Sequence, residues 1–485
     1  MTEAPGQAAV AAGDRQTVAA ASAVLRSGGN AVDAALGAGF AAAVAEPGLT
    51  SLGGGGFLLV REGSNTRLFD FFVDAPGRGL STSDLTPHFD PITVDFSGAL
   101  QVFHAGYGSV AVPGVLPGYL TAHRALGRLA LKDVVAPAAA LARDGATLSP
   151  TQATVLSLLS SILSLTPAAA DIFLSNGAPP EAGGTFRNPT YADFLEQLAE
   201  VNAEGWTDAP QTRQLMEQMR QHDGLLTMAD LEDYRVNERS PHQASYLGAT
   251  LTTNPPPSFG GSIVCSALLE LNAAETSERP SAVAQAEALH HATHRQKSGG
   301  PASTKGTTHV SVIDADGMIA SMTTSNGSCS GIVVPDTGVQ LNNMMGESDL
   351  HPDGFHGAEP GTRVASMMAP SLLDLADGSV VALGSGGSER IRSALLQTVV
   401  RLVHGDALVN AVGDPRFHFD GSTSQLEPGI SDAVATELAA MGPVQRWRQT
   451  SVYFGGVNAV RRHPDGRLEA TGDTRRDGAG AVIDL

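Results

Sequence analysis

One stretch decides how this chain of 485 residues folds: Gly306-Thr307-Thr308-His309-Val310-Ser311-Val312-Ile313-Asp314-Ala315-Asp316-Gly317, followed by Met318-Ile319-Ala320-Ser321-Met322-Thr323. Apolar and polar residues alternate on both sides of Asp316-Gly317, a pair that favours the positive φ angles of a tight turn. The stretch therefore predicts a β-hairpin. Residues 297–305 before it are polar and rich in turn formers, so Thr307 is expected to open a strand after a flexible leader.

A threonine at this position has a possible chemical use. Its hydroxyl is a weak nucleophile, and its own α-amino group, with a pKa of about 7.7 to 8.0, can serve as the base. That amine exists only after the bond between Gly306 and Thr307 is cut. Gly306 lacks a Cβ, so the Thr307 hydroxyl can approach the Gly306 carbonyl, form an ester by N-to-O acyl shift and leave a new N-terminus after hydrolysis. A bare Gly-Thr-Thr more commonly just begins a strand.

Further motifs accompany this stretch in a fixed order. The first half of the chain contains Ser27-Gly28-Gly29-Asn30-Ala31-Val32-Asp33-Ala34-Ala35, Leu52-Gly53-Gly54-Gly55-Gly56-Phe57, Val112-Pro113-Gly114 and Asn254-Pro255-Pro256-Pro257-Ser258-Phe259-Gly260-Gly261. The second half contains Thr323-Thr324-Ser325-Asn326-Gly327, Leu341-Asn342-Asn343-Met344-Met345, Ser366-Met367-Met368-Ala369-Pro370 and Gly384-Ser385-Gly386-Gly387-Ser388. Together with residues 306–309, they resemble the γ-glutamyltranspeptidase family over nearly the whole chain.

The resemblance implies an α+β fold, a four-layer αββα sandwich of the N-terminal nucleophile (Ntn) hydrolase type formed by both halves of a self-cleaved precursor. Residues 1–306 would form the large subunit and residues 307–485 the small subunit, which would stay together as a heterodimer. Length alone would instead suggest several domains of roughly 150 residues each.

The resemblance also assigns catalytic roles. Thr307 is the nucleophile, and Thr324 supports it. Gly386 and Gly387 lie where a strand is expected to end and a helix to begin, and their backbone amides would stabilise the oxyanion of an acyl transfer. A plain strand-to-helix turn fits the same two glycines.

Three residues are implied in substrate binding. Asn326 matches a residue that contacts the amino group of the substrate, and Glu347 matches an acidic residue that holds the α-ammonium of the acyl donor. Ser366 retains one of two serines that usually hold the α-carboxylate, while Ala365 replaces the other.

Two further departures from the family concern the same carboxylate. Phe72 aligns with the carboxylate-binding arginine, and Met344 replaces a polar residue. A bidentate arginine–carboxylate contact cannot be replaced by a ring. Arg78 and Arg363 are the alternative cations, and the sequence places neither in the pocket.

Apolar periodicity predicts helices at residues 16–26, 34–45, 134–142, 191–200, 210–221, 228–234 and 389–403, and strands at 57–60 and 68–73. Hairpins are expected at 371–375 with 380–383 and at 454–461 with 467–471, the second of which closes the chain. Asn30 and Asp33 are an expected N-cap pair, and Ser388 is the expected N-cap of the last helix. The Gly-rich loop at 52–56 is interpreted as close backbone packing, because it lacks the Lys-Ser/Thr of a phosphate-binding loop.

Composition excludes some classes of partner. Thirty Lys and Arg against fifty Asp and Glu give a formal charge of −20, which argues against nucleic acid and anionic membranes. No apolar run of about eighteen residues predicts a membrane span. The N-terminus shows no signal peptide, so a cytoplasmic location is expected.

A metal site is conceivable on one predicted helix, where Glu287, His290, His291 and His294 have helical spacing. These residues lack the His-Glu-x-x-His order, and the family that the chain resembles needs no metal. We therefore expect neither a metal nor a cofactor.

The sequence thus predicts a self-processing N-terminal-threonine amidohydrolase or acyltransferase. It would cleave a small-molecule amide of the γ-glutamyl type through an acyl-enzyme and pass the acyl group to water or an amine. One alternative is a cephalosporin-acylase-like amidase with a less polar acyl pocket. Another is a folded but catalytically silent relative.

Overall fold

The computed structural model describes residues 6–81, 88–95, 100–201, 203–273, 277–295, 306–351, 354–355 and 357–485. The expected leader at 297–305 lies outside these residues. The strands are β1 (Gln7–Ala12), β2 (Gly55–Glu62), β3 (Asn65–Phe71), β4 (Asp90–Asp95), β5 (Leu100–Ala105), β6 (Ala146–Thr147), β7 (Thr185–Phe186), β8 (Asn237–Arg239), β9 (His242–Tyr246), β10 (Ala249–Thr253), β11 (Gly306–Ile313), β12 (Ile319–Gly327), β13 (Ser371–Asp374), β14 (Val380–Gly386), β15 (Phe417–Phe419), β16 (Ser424–Leu426), β17 (Val444–Arg446), β18 (Gly456–Arg462), β19 (Leu468–Thr471) and β20 (Ala479–Asp484).

The α-helices include every helix predicted from apolar periodicity, with ends that differ by a few residues. They are α1 (Arg15–Arg26), α2 (Ala31–Ala45), α3 (Val115–Leu126), α4 (Leu131–Asp144), α5 (Pro150–Leu158), α6 (Ser160–Leu163), α7 (Pro167–Phe173), α8 (Pro189–Val201), α9 (Thr212–Gln221), α10 (Met228–Asp233), α11 (Phe259–Asn272), α12 (Ala282–Arg295), α13 (Arg390–Val403), α14 (Leu408–Gly413) and α15 (Asp432–Leu438). None of the helices in the described part of the chain is both long and apolar enough to span a bilayer.

Two large sheets form the centre of the molecule. The first has seven strands in the order β20-β1-β11-β12-β2-β3-β8, and the second has six in the order β19-β18-β14-β13-β10-β9. The hairpin expected from the decisive stretch is β11 and β12, which pair antiparallel in the middle of the first sheet. Because both of its edges are paired, this hairpin is buried throughout.

The sheets pack face to face, with helices on their outer faces. Strands β11 and β12 lie against β14, while α1 and α2 cover the first sheet and α11 and α13 cover the second. Alternate residues of one strand therefore enter different cores: Val10 packs with the helices on one side, and Ala9 and Ala11 pack between the sheets. The α+β fold class is confirmed.

Helix α2 explains why so much of the first motif is alanine. It lies between the first sheet and helices α1 and α4, so it is buried on all sides and small residues allow this close approach. Its N-terminus carries a capping box, in which the Asn30 side chain accepts from the Asp33 amide and the Asp33 side chain accepts from the Asn30 amide. The predicted N-cap pair is confirmed.

The Gly-rich loop at residues 52–56 packs its backbone against other backbone, as predicted from the sequence. A Cβ on Gly54 would stand closer than 3.0 Å to the carbonyl oxygen of Ser325, and one on Gly53 would meet the carbonyl oxygen of Gln340 at a similarly forbidden distance. The loop can therefore lie directly on the end of β12, which carries the candidate site.

Two expectations are wrong. Ser388 is not the N-cap of α13, because that position is taken by Glu389, and Ser388 lies in the left-handed region with φ of 54°. The hairpin of β18 and β19 does not close the chain, because β20 follows and pairs with β1 along its full length. Strand β1 has the sequence QAAVAA, whose mostly small residues carry no period-two signal.

Candidate active site

Thr307 is the second residue of β11, and it lies opposite an irregularity in β12. Gly306 pairs with Gly327 and Thr308 pairs with Thr324, so two residues, Ser325 and Asn326, face Thr307 alone. A bulge of this kind re-aims the side chains of the bulged strand. Thr307 is only 4% exposed, and its side chain lines a narrow cavity.

The Ser325 hydroxyl joins the two groups that self-cleavage would bring together. Its O–H donates to the Gly306 carbonyl oxygen at 2.5 Å, and its oxygen accepts from the Thr307 hydroxyl at 3.3 Å. The Gly327 amide, at 3.0 Å, fixes the same oxygen. Ser325 can therefore polarise the Gly306 carbonyl, next to the hydroxyl that would attack it.

Thr324 does not have the place expected from the sequence. Its hydroxyl accepts from Thr50 at 2.9 Å, whereas the hydroxyl bonded to Thr307 belongs to Ser325. The prediction of Thr324 as the supporting hydroxyl is therefore corrected to Ser325. Three hydroxyl residues follow one another here, and the sequence does not show the bulge that selects the third.

Gly386 lies against the nucleophile at the end of β14, and Gly387 follows it. A Cβ on Gly386 would stand closer than 3.0 Å to the Thr307 carbonyl oxygen, and Gly387 has φ of 122°, which L side chains rarely adopt. Both positions thus require glycine for a physical reason. Backbone amides of such a turn are suited to an oxyanion.

The cavity next to Thr307 brings together most of the other candidate residues. It is lined by Phe72, Thr307, Ser325, Met344, Glu347, Leu350, Ser366, Met367, Met368, Ser388 and Ile391. Apart from Glu347 and three serines, the lining beside the nucleophile is apolar, and it includes no lysine or arginine among the described residues.

Phe72 is part of the cavity wall. Its ring is 2% exposed and stacks on Phe57, with ring centroids 5.6 Å apart and an interplanar angle of 14°. A side chain packed in this way contributes apolar surface and no hydrogen-bond donor.

Arg363 lies behind this wall rather than in the cavity. Its guanidinium donates to the Phe72 carbonyl oxygen and, at 2.8 Å, to the Tyr234 hydroxyl. The Asp74 carboxylate lies 3.2 Å from its Nε. The Arg363 guanidinium is therefore bound by Phe72, Tyr234 and Asp74 rather than directed into the cavity.

Arg78 is also directed elsewhere. It is paired with Asp233 at 3.7 Å, with about a third of its side chain exposed. Neither arginine lines the cavity, so neither replaces the missing carboxylate contact in this arrangement.

Glu347 lines the cavity, whereas Asn326 lies within the bulge and is not among the lining residues. A Cβ on Gly327 would stand 2.7 Å from Glu347 Oε1, so this carboxylate lies directly beside the residue that follows Asn326. The Asn326 amide nitrogen donates to the Leu341 carbonyl at 3.3 Å, and its buried Oδ1 has no hydrogen-bond partner among the described residues. A carboxylate and an unsatisfied amide oxygen together suit a cationic group such as an ammonium.

Ser366 remains at the cavity with its hydroxyl partly engaged. The Ser366 hydroxyl oxygen accepts from the Met368 amide at 3.1 Å. Among the described residues, the hydroxyl itself donates no hydrogen bond. Met367 and Met368, which follow Ser366 in the same motif, also line the cavity, although no role was predicted for them from the sequence.

Two further buried charged residues contact the start of β11 outside the cavity lining. The Glu46 carboxylate accepts from Thr308 at 2.6 Å and from Thr17 at 2.9 Å, and burial raises the pKa of Glu46 to about 7. Arg476 donates to the Thr307 carbonyl at 3.2 Å, and burial lowers the pKa of its guanidinium to about 10. Sequence reasoning missed both, because they come from opposite ends of the chain.

The histidine-rich helix α12 does not form a converging cluster. His291 bonds to Glu270 at 2.7 Å, and the His290 ring packs on His294 with centroids 4.3 Å apart. Within the described residues, no three His, Cys, Asp or Glu side chains converge on a point that could hold a metal ion.

Comparisons with known proteins bear on this site. A family profile described as Gamma-glutamyltranspeptidase matches residues 17–299 and 271–483. The chain is 30% identical to the Acylase ACY 1 proenzyme of Pseudomonas sp. (strain V22), over 96% of this chain and 91% of that protein. It is 28% identical to the Glutathione hydrolase proenzyme of Bacillus subtilis (strain 168), over 95% and 89% of the two chains.

The fold has a solved counterpart. The structure of the cephalosporin acylase from Bacillus halodurans superimposes with a TM-score of 0.85 and covers 99% of this chain and 96% of its own, at 24% identity. The similar proteins thus carry both acylase and glutathione hydrolase names.

Proposed function

This chain belongs to the γ-glutamyltranspeptidase family, and on that basis we propose that it is a self-processing amidohydrolase or acyltransferase whose nucleophile is Thr307. The observation that carries this proposal is the Ser325 hydroxyl, which bonds to both the Thr307 hydroxyl and the Gly306 carbonyl oxygen. The names of two relatives, both proenzymes, support processing of this kind.

In the first step the Thr307 hydroxyl attacks the Gly306 carbonyl carbon, and the Ser325 hydroxyl stabilises the developing oxyanion. The bond between Gly306 and Thr307 breaks, and its nitrogen takes up the proton that the hydroxyl releases and becomes the α-amino group of Thr307. Water then hydrolyses the ester that joins Gly306 to the Thr307 oxygen. Residues 1–306 and 307–485 would remain associated, because each of the two large sheets contains strands from both segments.

In the second step the free α-amine takes the proton of the Thr307 hydroxyl, which attacks the carbonyl of an amide substrate. The amides at Gly386 and Gly387 would stabilise the oxyanion, and the leaving amine takes the proton. Water or a second amine then attacks the acyl-enzyme and releases the acyl group. The amine base needs only the new N-terminus, which agrees with the absence of a histidine from the cavity lining among the described residues.

The substrate is an amide whose acyl part carries an ammonium and needs no carboxylate beside it. Glu347 and the Oδ1 of Asn326 would hold the ammonium. Phe72 and the methionines offer apolar surface where a carboxylate would need donors. A γ-glutamyl amide is therefore expected to be a poor donor, because its buried α-carboxylate would lose charged hydrogen bonds of about 1.5 to 3 kcal/mol each.

A second candidate is an amidase of the cephalosporin-acylase type. The apolar lining of the cavity favours it, as do the acylase among the relatives and the similarity of fold. The two candidates differ in whether the acyl group must carry a cation next to Glu347.

The proposal is tested by purifying the protein and the Thr307→Ala variant and comparing them on a denaturing gel. Two fragments are expected from the wild type, the smaller with the N-terminal sequence Thr-Thr-His-Val, and one chain from the variant. Incubation with an amide-reactive covalent probe, followed by peptide mapping, should modify Thr307. A folded wild type that stays whole and unmodified would favour a catalytically silent relative.

A further inference from the structure

Glu46 lies on the side of β11 that faces away from the substrate cavity. Neighbouring residues of a strand point to opposite faces, so Thr307 meets the cavity while Thr308 meets Glu46 at the end of α2. The carboxylate is fully buried and holds two hydroxyls, those of Thr308 and Thr17. A Cβ on Gly13 would stand closer than 3.0 Å to Glu46 Oε2 and to the Thr308 hydroxyl, so the chain leaves room for this contact.

Arg476 contacts the residue next to Thr308, because its guanidinium donates to the Thr307 carbonyl. Among the described residues, its hydrogen bonds go to the carbonyls of Thr307 and Val452, both at 3.2 Å, rather than to a carboxylate. The guanidinium also lies beside Gly386, whose Cβ would stand 3.0 Å from Nη1. A buried cation without an ion pair is costly, and such charges are commonly retained where their field has a use.

Glu46 and Arg476 are thus the charged groups that contact Thr307 and the next residue, on the strand whose first nitrogen becomes an amine once the chain is cut. The new α-amino group belongs to Thr307, whose own carbonyl accepts from Arg476 and whose next residue, Thr308, donates to Glu46. A nearby cation favours the uncharged amine, and a nearby carboxylate favours the ammonium. The amine acts as a base only when it is uncharged.

We propose that Glu46 and Arg476 are positioning residues that set the protonation of the Thr307 α-amino group, with Arg476 favouring the free base and ionised Glu46 opposing it. The inference rests on the proposed function, since it needs the free amine that processing creates. Other groups also act on this pair: Asp14, next to α1, and Tyr119 of α3 act on Glu46, whereas Arg390, Asp473 and Arg416 act on Arg476.

The ionisation of Glu46 makes this arrangement depend on pH. Burial is the largest cause of its raised pKa of about 7, Asp14 raises it further, and the hydroxyls and Arg476 lower it. As the pH falls towards 6, Glu46 takes up a proton and stops stabilising the ammonium. The amine then stays uncharged at a lower pH than beside a permanent carboxylate, which widens the range in which Thr307 is active.

The test compares processed wild type with Glu46→Gln and Arg476→Gln. Two properties are measured against pH. One is kcat/KM for hydrolysis of the analogue of γ-glutamyl-p-nitroanilide that lacks the α-carboxylate, and the other is the rate at which cyanate carbamylates the Thr307 amine, read by peptide mass spectrometry. In Glu46→Gln both midpoints should fall, and in Arg476→Gln both should rise, each by about one pH unit for a charge in a partly screened site. A purely structural role would change amplitudes without moving midpoints in opposite directions.

Asp314→Asn is the matched control. Asp314 is also a buried carboxylate with a pKa raised by burial, but it lies at the turn end of the same hairpin, where it accepts from the amides of Ala31 and Met318. Its midpoints should equal those of the wild type. Midpoints that stay fixed, or move in the same direction in both variants, overturn the inference, whereas a wild type that is never cut overturns the proposed function instead. If one of the two variants is not cut, the direction in which the midpoints of the other variant move decides whether the inference holds.

Discussion

Gly386 lies so close to Thr307 that a Cβ on the glycine would overlap the threonine carbonyl oxygen, at less than 3.0 Å. The end of β14 in one sheet is thereby locked against the start of β11 in the other. The backbone of the turn at Gly386 and Gly387 thus reaches the site from the opposite layer of the fold. This contact joins the proposed nucleophile to its proposed oxyanion donors.

Gly386→Ala is expected to lower kcat by about a hundred- to a thousandfold, the usual cost of removing one oxyanion donor, because the added Cβ must push the turn away from Thr307. The measurement is steady-state hydrolysis by processed enzyme, with circular dichroism to check the fold. Gly413→Ala is the control, since a Cβ there meets nothing within 4 Å. Equal turnover in Gly386→Ala would place the oxyanion donors elsewhere.

Ser325→Ala should slow the cut between Gly306 and Thr307 by about a hundred- to a thousandfold, because the Gly306 carbonyl loses its hydroxyl partner. Ser325→Thr, which keeps a hydroxyl, should retain processing. A gel time course follows fragments of about 31 and 18 kDa, in proportion to their lengths in the 49.8 kDa chain.

Thr324→Val serves as the neighbouring control for Ser325, because its hydroxyl bonds to Thr50 and not to Thr307. This variant should process, with stability lowered by about 1 to 3 kcal/mol through the unsatisfied Thr50 hydroxyl. Loss of processing in Thr324→Val but not in Ser325→Ala would restore the original assignment to Thr324.

Phe72→Arg should increase kcat/KM for γ-glutamyl-p-nitroanilide relative to the analogue that lacks the α-carboxylate, since it adds a donor to the cavity wall. In the wild type the analogue should be the better substrate. Phe72→Leu, which keeps the wall apolar, should leave the wild-type order unchanged. A wild type that strongly prefers the γ-glutamyl compound would show that another cation binds the carboxylate.

The pKa of Glu46 can be tested through stability, in the uncut Thr307→Ala background. The folded chain keeps the Glu46 proton up to about pH 7, whereas the unfolded chain releases it near the ordinary value of 4.5. The stability that this carboxyl contributes is therefore fully present below pH 4.5 and is lost as the pH rises through 7.

Glu46→Gln should not titrate, so its free energy of unfolding relative to the parent should increase from pH 4.5 to above 7, by up to about 3 kcal/mol. Urea unfolding at pH 5 and pH 7.5 measures this difference. The same difference at both pH values would mean that Glu46 does not titrate in this range.

The sequence by itself determined the hairpin around Thr307, most helices and the candidate residues Thr307, Phe72, Glu347 and Ser366, which the fold gathers on one cavity. Local rules suffice for such features: residue alternation and a turn pair predict β11 and β12, and an N-cap pair followed by a run of small residues predicts α2. The other candidate residues, including Gly386 and Gly387 at the end of β14, were predicted from the order of the motifs and their resemblance to the family.

Only the tertiary structure decided which neighbours these residues have. The bulge that gives Thr307 the hydroxyl of Ser325 instead of Thr324 depends on the pairing register of two strands, which one strand's pattern does not contain. Arg363 is a candidate cation in the sequence, yet its backbone position places it behind Phe72, among partners from distant segments. Glu46 and Arg476 meet the same peptide because two sheets and their covering helices pack around it, and such contacts between remote parts of a chain are fixed only when the layers close.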